Sequence, residues 1–229
     1  MKRLLLLLCI ASLGARCEKE QYGDPREMMV RSQIVARGVS DAATLRAMRA
    51  VPRHEFVPDE SRRHAYDDSP LQIGYGQTIS QPYIVAFMTE LIRPRAGQRV
   101  LEVGTGSGYQ AAVLAEIVDS VYTIELIPEL AETAEARLIR LGYRNIAVRQ
   151  GDGYLGWPEH APFDAILVTA AADEIPQPLV DQLKEGGTLV IPVGSVSGVQ
   201  SLTVVRKEAG RIVRESVLPV RFVPLIHDK

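Results

Sequence analysis

Apolar residues in the first part of the chain recur at the spacing of a helix face. The first such run contains Met28, Met29, Ile34 and Val35 and closes at Gly38. A second run follows at once, where Ser40 or Asp41 is a suitable N-cap and Pro52 stops the helix. A third helix is predicted around residues 84–91, because Pro82 suits a first helical turn, where its missing N–H costs nothing. The periodicity therefore predicts three N-terminal helices.

After residue 94 the pattern changes to short β-branched runs that alternate with amphipathic stretches. Strands are predicted at 99–103, 121–125, 146–149, 163–168 and 188–193, and helices at 109–117, 128–141 and 178–184. Two further strands, 199–206 and 212–220, are separated by a hairpin loop at 207–211. Such alternation is typical of βαβ units around a parallel sheet. The sequence therefore predicts an α/β fold with a seven-stranded, mostly parallel sheet, a C-terminal antiparallel hairpin and N-terminal helices.

Length and composition narrow the class of protein. The chain has 229 residues, of which 46% are hydrophobic and 24% charged, with a formal net charge of −2. This length suits one domain with a single core. Broad nucleic-acid surfaces need clustered Lys and Arg, so the charge argues against that function. Both cysteines, Cys9 and Cys17, lie near the N-terminus, and the four histidines share no metal-ligand spacing, so no metal is predicted.

The N-terminal residues have the layout of a secretory signal. Lys2 and Arg3 precede an apolar run at residues 4–13, and small residues follow. This run is too short to span a bilayer comfortably. We therefore predict a signal-like segment at residues 1–17 and a single domain at residues 24–229. Two alternatives stay open: export through this segment, or a translation start further along the chain.

The strongest local signal is the glycine-rich turn after the first predicted strand of the sheet. Residues 100–108 read V-L-E-V-G-T-G-S-G, which describes a buried strand that passes into a loop before a helix. Glycines let the backbone approach a ligand and take a positive φ, and a helix N-terminus offers unpaired N–H groups. A tight turn that only packs the helix on the strand is the alternative. We interpret Gly104, Gly106 and Gly108 as ligand-binding positions.

Acidic residues near that turn indicate the kind of ligand. Glu102 stands two residues before Gly104, where a carboxylate repels a pyrophosphate but attracts an ammonium or sulfonium group. Glu125 ends the next strand, where an acid can bind both hydroxyls of a ribose; a helix-start acid is the alternative. Asp152 and Gly153 follow the third strand, where they would meet an adenine edge or form an ordinary turn. The set predicts a cationic nucleoside.

With these residues in view, the chain resembles protein-L-isoaspartate O-methyltransferases over nearly its whole length after the signal-like segment. The glycine turn, Glu125 and Gly151-Asp152-Gly153 are similar to the cofactor motifs of class I methyltransferases. Residues 66–82, YDDSPLQIGYGQTISQP, are similar to a segment that distinguishes the family. The resemblance implies a Rossmann-like class I methyltransferase that transfers a methyl group from S-adenosyl-L-methionine to the free α-carboxylate of L-isoaspartyl residues in damaged proteins. The resemblance also implies that the methyl ester then collapses spontaneously to a succinimide, whose hydrolysis partly restores aspartate.

By this resemblance Ser80 is the catalytic residue, and Thr78 and Ile79 line the active site beside it. Ser80 follows an irregular connection predicted at residues 54–77, and from the residues alone it could equally be the N-cap of the third helix. The resemblance also implies isoaspartyl proteins and peptides as partners, a monomer and a cytoplasmic location, with export to the periplasm as the alternative. The chain departs from the family's closing segment after Leu225, so no tail residue is assigned to the site.

Three other functions are weighed against this one. The first is a methyltransferase for a small molecule, another carboxylate or a nucleic acid. Enzymes that methylate amino groups of bases typically carry an Asn/Asp-Pro-Pro-Tyr-like motif after the fourth strand, whereas residues 169–173 read T-A-A-A-D. The second is a nicotinamide oxidoreductase, which Tyr109 disfavours because it replaces the last glycine of the dinucleotide fingerprint. The third is a binding protein that has lost its chemistry.

Overall fold

The computed structural model describes residues 25–195 and 198–227, so the predicted signal-like segment lies outside the described residues. The chain enters as a helical segment that is π-helical at Met29–Ile34 and 3₁₀ at Val35–Arg37 before Gly38 ends it with a φ of 95°. Helix α1 (Ala42–Ala50) follows. Its N-cap is Asp41, whose carboxylate accepts the Thr44 N–H at 2.7 Å. Within the described ranges no helix has the length and apolar character needed to cross a membrane.

A hairpin stands where the sequence predicts an irregular connection. Two 3₁₀ turns, Arg53–Phe56 and Asp59–His64, lead into strand β1 (Leu71–Gly74), which pairs antiparallel with β2 (Gln77–Ile79). Strands this short leave too few alternating positions to reveal a period, which is why the pattern missed them. Helix α2 (Pro82–Leu91) then begins at the predicted proline.

The remaining elements build one large sheet with its helices. Its strands are β3 (Arg99–Val103), β4 (Ser120–Glu125), β5 (Ile146–Gln150), β6 (Phe163–Val168), β7 (Leu183–Val193), β8 (Gln200–Glu208) and β9 (Arg211–Val220). The helices between them are α3 (Tyr109–Ala115), α4 (Pro128–Arg140) and α5 (Gln177–Asp181). The order across the sheet is β5-β4-β3-β6-β7-β8-β9, and β8 alone runs antiparallel to its neighbours. The predicted seven-stranded, mostly parallel sheet with a C-terminal hairpin is confirmed.

The end of the sheet shows one success and one error of the sequence pattern. The β8–β9 hairpin turns at Ala209 and Gly210, both with positive φ, as a two-residue loop between twisted strands requires. Before it, a helix was predicted to reach residue 184, but β7 already begins at Leu183. That residue pairs with Phe163 of β6, so the sheet overrides a locally helical pattern.

The N-terminal helices share a core with the sheet. Met29, Ile34 and Met48 are fully buried in one cluster with Tyr109 and Val113 of α3. The first residues of α3 are thereby fixed from both sides, by the sheet and by the N-terminal helices.

Candidate active site

A cleft opens at the point where the order of the strands reverses. The chain runs from β3 outward to β4 and β5, then returns to place β6 on the other side of β3. Loops that follow neighbouring strands diverge at such a point, which is where open α/β sheets bind ligands. The cleft is lined by Gly104 and Gly106 after β3, Glu125 at the end of β4, and Thr169 after β6.

The glycine turn has positive φ at all three glycines and leaves no room for a Cβ at Gly104 without movement of a neighbour. A Cβ added to Gly104 would lie 2.4 Å from Thr169 Oγ1, and the φ of Gly104 is +96°. The Thr169 hydroxyl in turn donates to the carbonyl oxygen of Gly104 at 2.6 Å. Gly106 (φ +53°) lines the cleft, and Gly108 (φ +87°) is the N-cap residue of α3. The turn thus brings bare backbone to the cleft wall, as the sequence predicts for a ligand-binding loop.

Glu125 presents a preoriented carboxylate to the cleft. Its Oε2 accepts the Gly106 N–H at 2.8 Å and its Oε1 accepts the Ile127 N–H at 3.1 Å. The residue is 7% exposed, so its carboxylate has little freedom to turn away. Each carboxylate oxygen can accept a second hydrogen bond, so the carboxylate has capacity for two ligand hydroxyls.

Glu102 lies beneath the glycine turn and not among the residues that line the cleft. Its side chain is fully buried, and burial raises its pKa to about 8 against the pull of a hydrogen bond from Thr123, so the acid is protonated at neutral pH. The Thr123 hydroxyl donates to Glu102 at 2.5 Å. Thr123 has one hydroxyl hydrogen, so at the 2.6 Å contact between the two threonines it is Thr105 that donates. Glu102 therefore ends a hydrogen-bonded chain that supports the turn.

The segment after β5 reaches the cleft through its glycine. Gly153 is part of the lining, and a Cβ on it would lie 2.3 Å from Val103 Cγ1. The adjacent Asp152 uses one carboxylate oxygen to accept the Tyr154 N–H at 2.9 Å. Its other oxygen is 2.5 Å from Nδ1 of His227, whose ring stacks on Tyr154. The Asp152 carboxylate is therefore engaged with the tail of the chain.

The C-terminal tail closes one side of the cleft. No residue of this tail was assigned to the site from the sequence. The Ala171 N–H donates to Val223 O at 2.8 Å and the Leu225 N–H donates to Ala171 O at 2.7 Å. These bonds hold the tail along the loop after β6, so that Leu225 and Ile226 line the cleft. The apolar run at the end of the chain was the available signal.

A second cavity adjoins the cleft, and Ser80 is one of the residues that line it. Thr78, Thr169 and Val223 line both spaces. The Ser80 hydroxyl makes no hydrogen bond with any described residue, and the N-cap position of α2 belongs to Gln81. The N-cap explanation for Ser80 is therefore wrong. Ile79 is buried in the core at 4% exposure and lines neither space.

Two arginines stand at the wall of the second cavity. Arg37 is held by Asp68, 3.2 Å away, and by the ring of Tyr83, 3.4 Å from its guanidinium carbon. Arg221 follows β9 and makes no ion pair within the part of the chain that the structure describes. Guanidinium groups near a hydroxyl that has no hydrogen-bond partner among the described residues favour an anionic ligand, and Arg221 supplies the cation that no described carboxylate compensates. Neither arginine was predicted, because only the fold brings residues so distant in sequence together.

Comparison with known proteins agrees with this geometry. The family model of protein-L-isoaspartate(D-aspartate) O-methyltransferase matches residues 25–229. The chain belongs to this family. A protein-L-isoaspartate O-methyltransferase of Opitutus terrae is 55% identical over 226 residues, covering 99% of this chain and 97% of the relative. One of Gloeobacter violaceus is 58% identical over 201 residues, covering 88% of this chain and 98% of the relative.

Solved structures of the family superpose on the chain. A protein-L-isoaspartate O-methyltransferase gives a TM-score of 0.80 at 33% identity, covering 87% of this chain and 65% of that chain. A putative family member from Plasmodium falciparum, in complex with S-adenosyl-L-homocysteine, gives 0.78 at 28% identity, covering 89% of this chain and 99% of that one. The predicted fold and family are confirmed, and this protein-L-isoaspartate O-methyltransferase uses S-adenosyl-L-methionine as its methyl donor.

Proposed function

We propose that the cleft holds S-adenosyl-L-methionine and that the adjoining cavity holds the α-carboxylate of an L-isoaspartyl residue. The observation that carries this assignment is the shared wall of Thr78, Thr169 and Val223 between the two spaces. Because the two spaces share these residues, a donor in one space would lie next to a carboxylate in the other.

The residues of the cleft fit a nucleoside with an amino-acid tail. Glu125 is oriented by two backbone N–H groups to accept hydrogen bonds from the ribose hydroxyls. The bare backbone at Gly104 allows the close approach that a Cβ would prevent. Gly153 allows the same at the opposite wall, where the base would lie. The roles of these residues are part of this proposal. Glu102 and Gly108 support the glycine turn and Asp152 holds the tail, so the predicted attraction between a Glu102 charge and the sulfonium is not part of it.

The reaction requires the protein to position the two reactants rather than to transfer a proton. S-adenosyl-L-methionine supplies a methyl group made electrophilic by its sulfonium. A carboxylate has a pKa near 4, so the nucleophile is already ionised and needs no base. The Ser80 hydroxyl donates a hydrogen bond to the substrate carboxylate, while the positive charges of Arg37 and Arg221 attract that carboxylate into the cavity. Holding reactants aligned contributes about 7–11 kcal/mol in well-oriented systems, which is the term this site supplies.

Methyl transfer to a matched pair of peptides tests the proposal. We expect the protein to methylate an isoaspartyl peptide and to leave the aspartyl peptide of the same sequence unmethylated. Ser80→Ala should lower turnover and leave the affinity for S-adenosyl-L-homocysteine unchanged in calorimetry. Ser32→Ala is the control, because that hydroxyl is exposed and donates to Met28 O. Equal methylation of both peptides would contradict the substrate assignment.

Compartment and assembly belong to the same proposal. S-adenosyl-L-methionine is made in the cytosol, which supports action in the cytoplasm; export remains the alternative that the N-terminal segment offers. The monomer is proposed from the family resemblance alone. Mass spectrometry of the mature N-terminus and light scattering of the purified protein test the two points.

A further inference from the structure

Arg53 is a fully buried cation in the 3₁₀ turn that follows α1. It forms no ion pair with any of the residues that the structure describes, and its Nη1 has no hydrogen-bond partner among them. Burial lowers its pKa to about 10, so the guanidinium is still charged at neutral pH. Burying a charge without a counter-ion is unfavourable, whereas burying an apolar side chain in the same place would be favourable. The contacts of its other two nitrogens indicate the function of this buried cation.

The guanidinium contacts three segments that lie apart in the sequence. Nη2 donates to the carbonyl oxygen of Ser80 at 2.7 Å. Nε donates to the carbonyl oxygen of Ala65 at 2.8 Å. The guanidinium carbon lies 4.8 Å from the centre of the Tyr109 ring, and Tyr109 is the first residue of α3, directly after the glycine turn. One rigid, planar group thus contacts both the serine turn and the helix that begins at the cofactor loop.

The Ser80 turn needs such a support because its local structure is weak. Ser80 lies between the end of β2 and the start of α2, and Gln81 makes no side-chain capping bond there. Pro82 has no N–H with which to fix the turn. The bond from Arg53 to the carbonyl oxygen of Ser80 therefore restrains the backbone from which the Ser80 side chain projects.

We propose that Arg53 is a positioning residue that holds the Ser80 turn at a fixed distance from the glycine turn. The inference rests on the proposed role of Ser80. Arg53 touches neither substrate nor cofactor; it acts through the carbonyl of Ser80 and the ring of Tyr109. In-line methyl transfer depends on the alignment of carboxylate and methyl group, and a shift of about 1 Å costs on the order of a hundredfold in rate.

Two substitutions of Arg53 test this role against simple destabilisation. Arg53→Met keeps most of the volume and removes every donor, whereas Arg53→Lys keeps a cation that reaches one carbonyl. We expect kcat for an isoaspartyl peptide, counted per site that binds S-adenosyl-L-homocysteine, to fall about tenfold or more in Arg53→Met and by less in Arg53→Lys. The dissociation constant of S-adenosyl-L-homocysteine should stay within about threefold, because the glycine turn itself is untouched.

Phe56→Leu is the matched control. Phe56 is also fully buried, belongs to the same turn and contacts the Tyr109 ring at 5.4 Å between centroids, but it donates nothing to Ser80. It should lower the melting temperature and keep the kcat of the wild type. Arg53 variants with wild-type kcat, or a Phe56→Leu variant that loses as much kcat as Arg53→Met, would overturn the inference. If Arg53→Met does not fold, Arg53→Lys tests the inference alone: a lowered kcat supports it, and a wild-type kcat overturns it.

Ser80→Ala in the same series separates this inference from the proposed function. If Ser80→Ala is impaired and the Arg53 variants are not, the positioning role alone is refuted. If Ser80→Ala keeps full turnover, the role of Ser80 is refuted and the positioning role with it.

Discussion

Replacing Glu102 by Gln should make the protein increasingly stable, relative to wild type, as pH rises. The carboxyl is fully buried beneath the glycine turn, its Oε1 has no hydrogen-bond partner among the described residues, and burial raises its pKa from 4.5 to about 8. Well below pH 4.5 the acid is protonated in both the folded and the unfolded state, so its ionisation does not change the free energy of unfolding. Between pH 4.5 and 8 the unfolded chain releases the proton and the folded chain keeps it, so the free energy of unfolding falls as pH rises.

The structure sets the size of this effect. The shift from 4.5 to about 8, at 1.36 kcal/mol per pKa unit, gives an upper limit of about 5 kcal/mol, reached above pH 8. Gln keeps the shape and accepts the Thr123 hydroxyl with its carbonyl oxygen, while its NH2 group replaces Oε1 and adds a cost that does not depend on pH. We expect denaturant unfolding of the ligand-free protein to show that the stability of Glu102→Gln relative to wild type rises by several kcal/mol from pH 5 to pH 9.

Glu132→Gln, an exposed acid on α4, is the control and should show the same small difference at every pH. A difference between Glu102→Gln and wild type that does not change from pH 5 to pH 9 would refute the conclusion that Glu102 is protonated in the fold.

Three further predictions concern the cofactor turn and the scaffold. Glu125→Gln should weaken S-adenosyl-L-homocysteine binding about tenfold or more in calorimetry, since hydrogen bonds to a charged acceptor contribute about 1.5–3 kcal/mol; unchanged affinity would remove Glu125 from the site. Gly104→Ala should cost more unfolding free energy than Gly38→Ala, because both have a φ near 95° but only the first meets an atom, Thr169 Oγ1; equal losses in denaturant unfolding would show that the clash relaxes. Asp41→Ala should cost about 1 kcal/mol of stability through its lost cap and leave kcat unchanged.

The strands of the sheet could be predicted because their signals are local. The central strands β3 and β6 are short apolar runs between turn residues, and their bounds were predicted correctly. The β1–β2 hairpin could not be found, since it is three to four residues per strand and only half buried. The start of β7 was missed because its first residues join the sheet through pairing with β6, which no local pattern records.

The site could be predicted only where its residues lie next to strand ends. Gly104, Gly106 and Glu125 follow or end neighbouring strands, and the structure places all three in the cleft. The direction of Glu102 was not foreseen: successive strand residues face opposite sides, so with Val103 in the cleft Glu102 points away from it. Arg53 could not be predicted at all, because its partners Ala65, Ser80 and Tyr109 meet it only in the fold.

A crystal structure of the protein with S-adenosyl-L-homocysteine and an isoaspartyl peptide tests the central claim most directly. The account predicts that the ribose hydroxyls lie within hydrogen-bond distance of the Glu125 carboxylate. It also predicts that the isoaspartyl α-carboxylate lies in the second cavity, in contact with the Ser80 hydroxyl. A nucleoside bound away from the glycine turn, or a peptide carboxylate that enters the site from elsewhere, would contradict it.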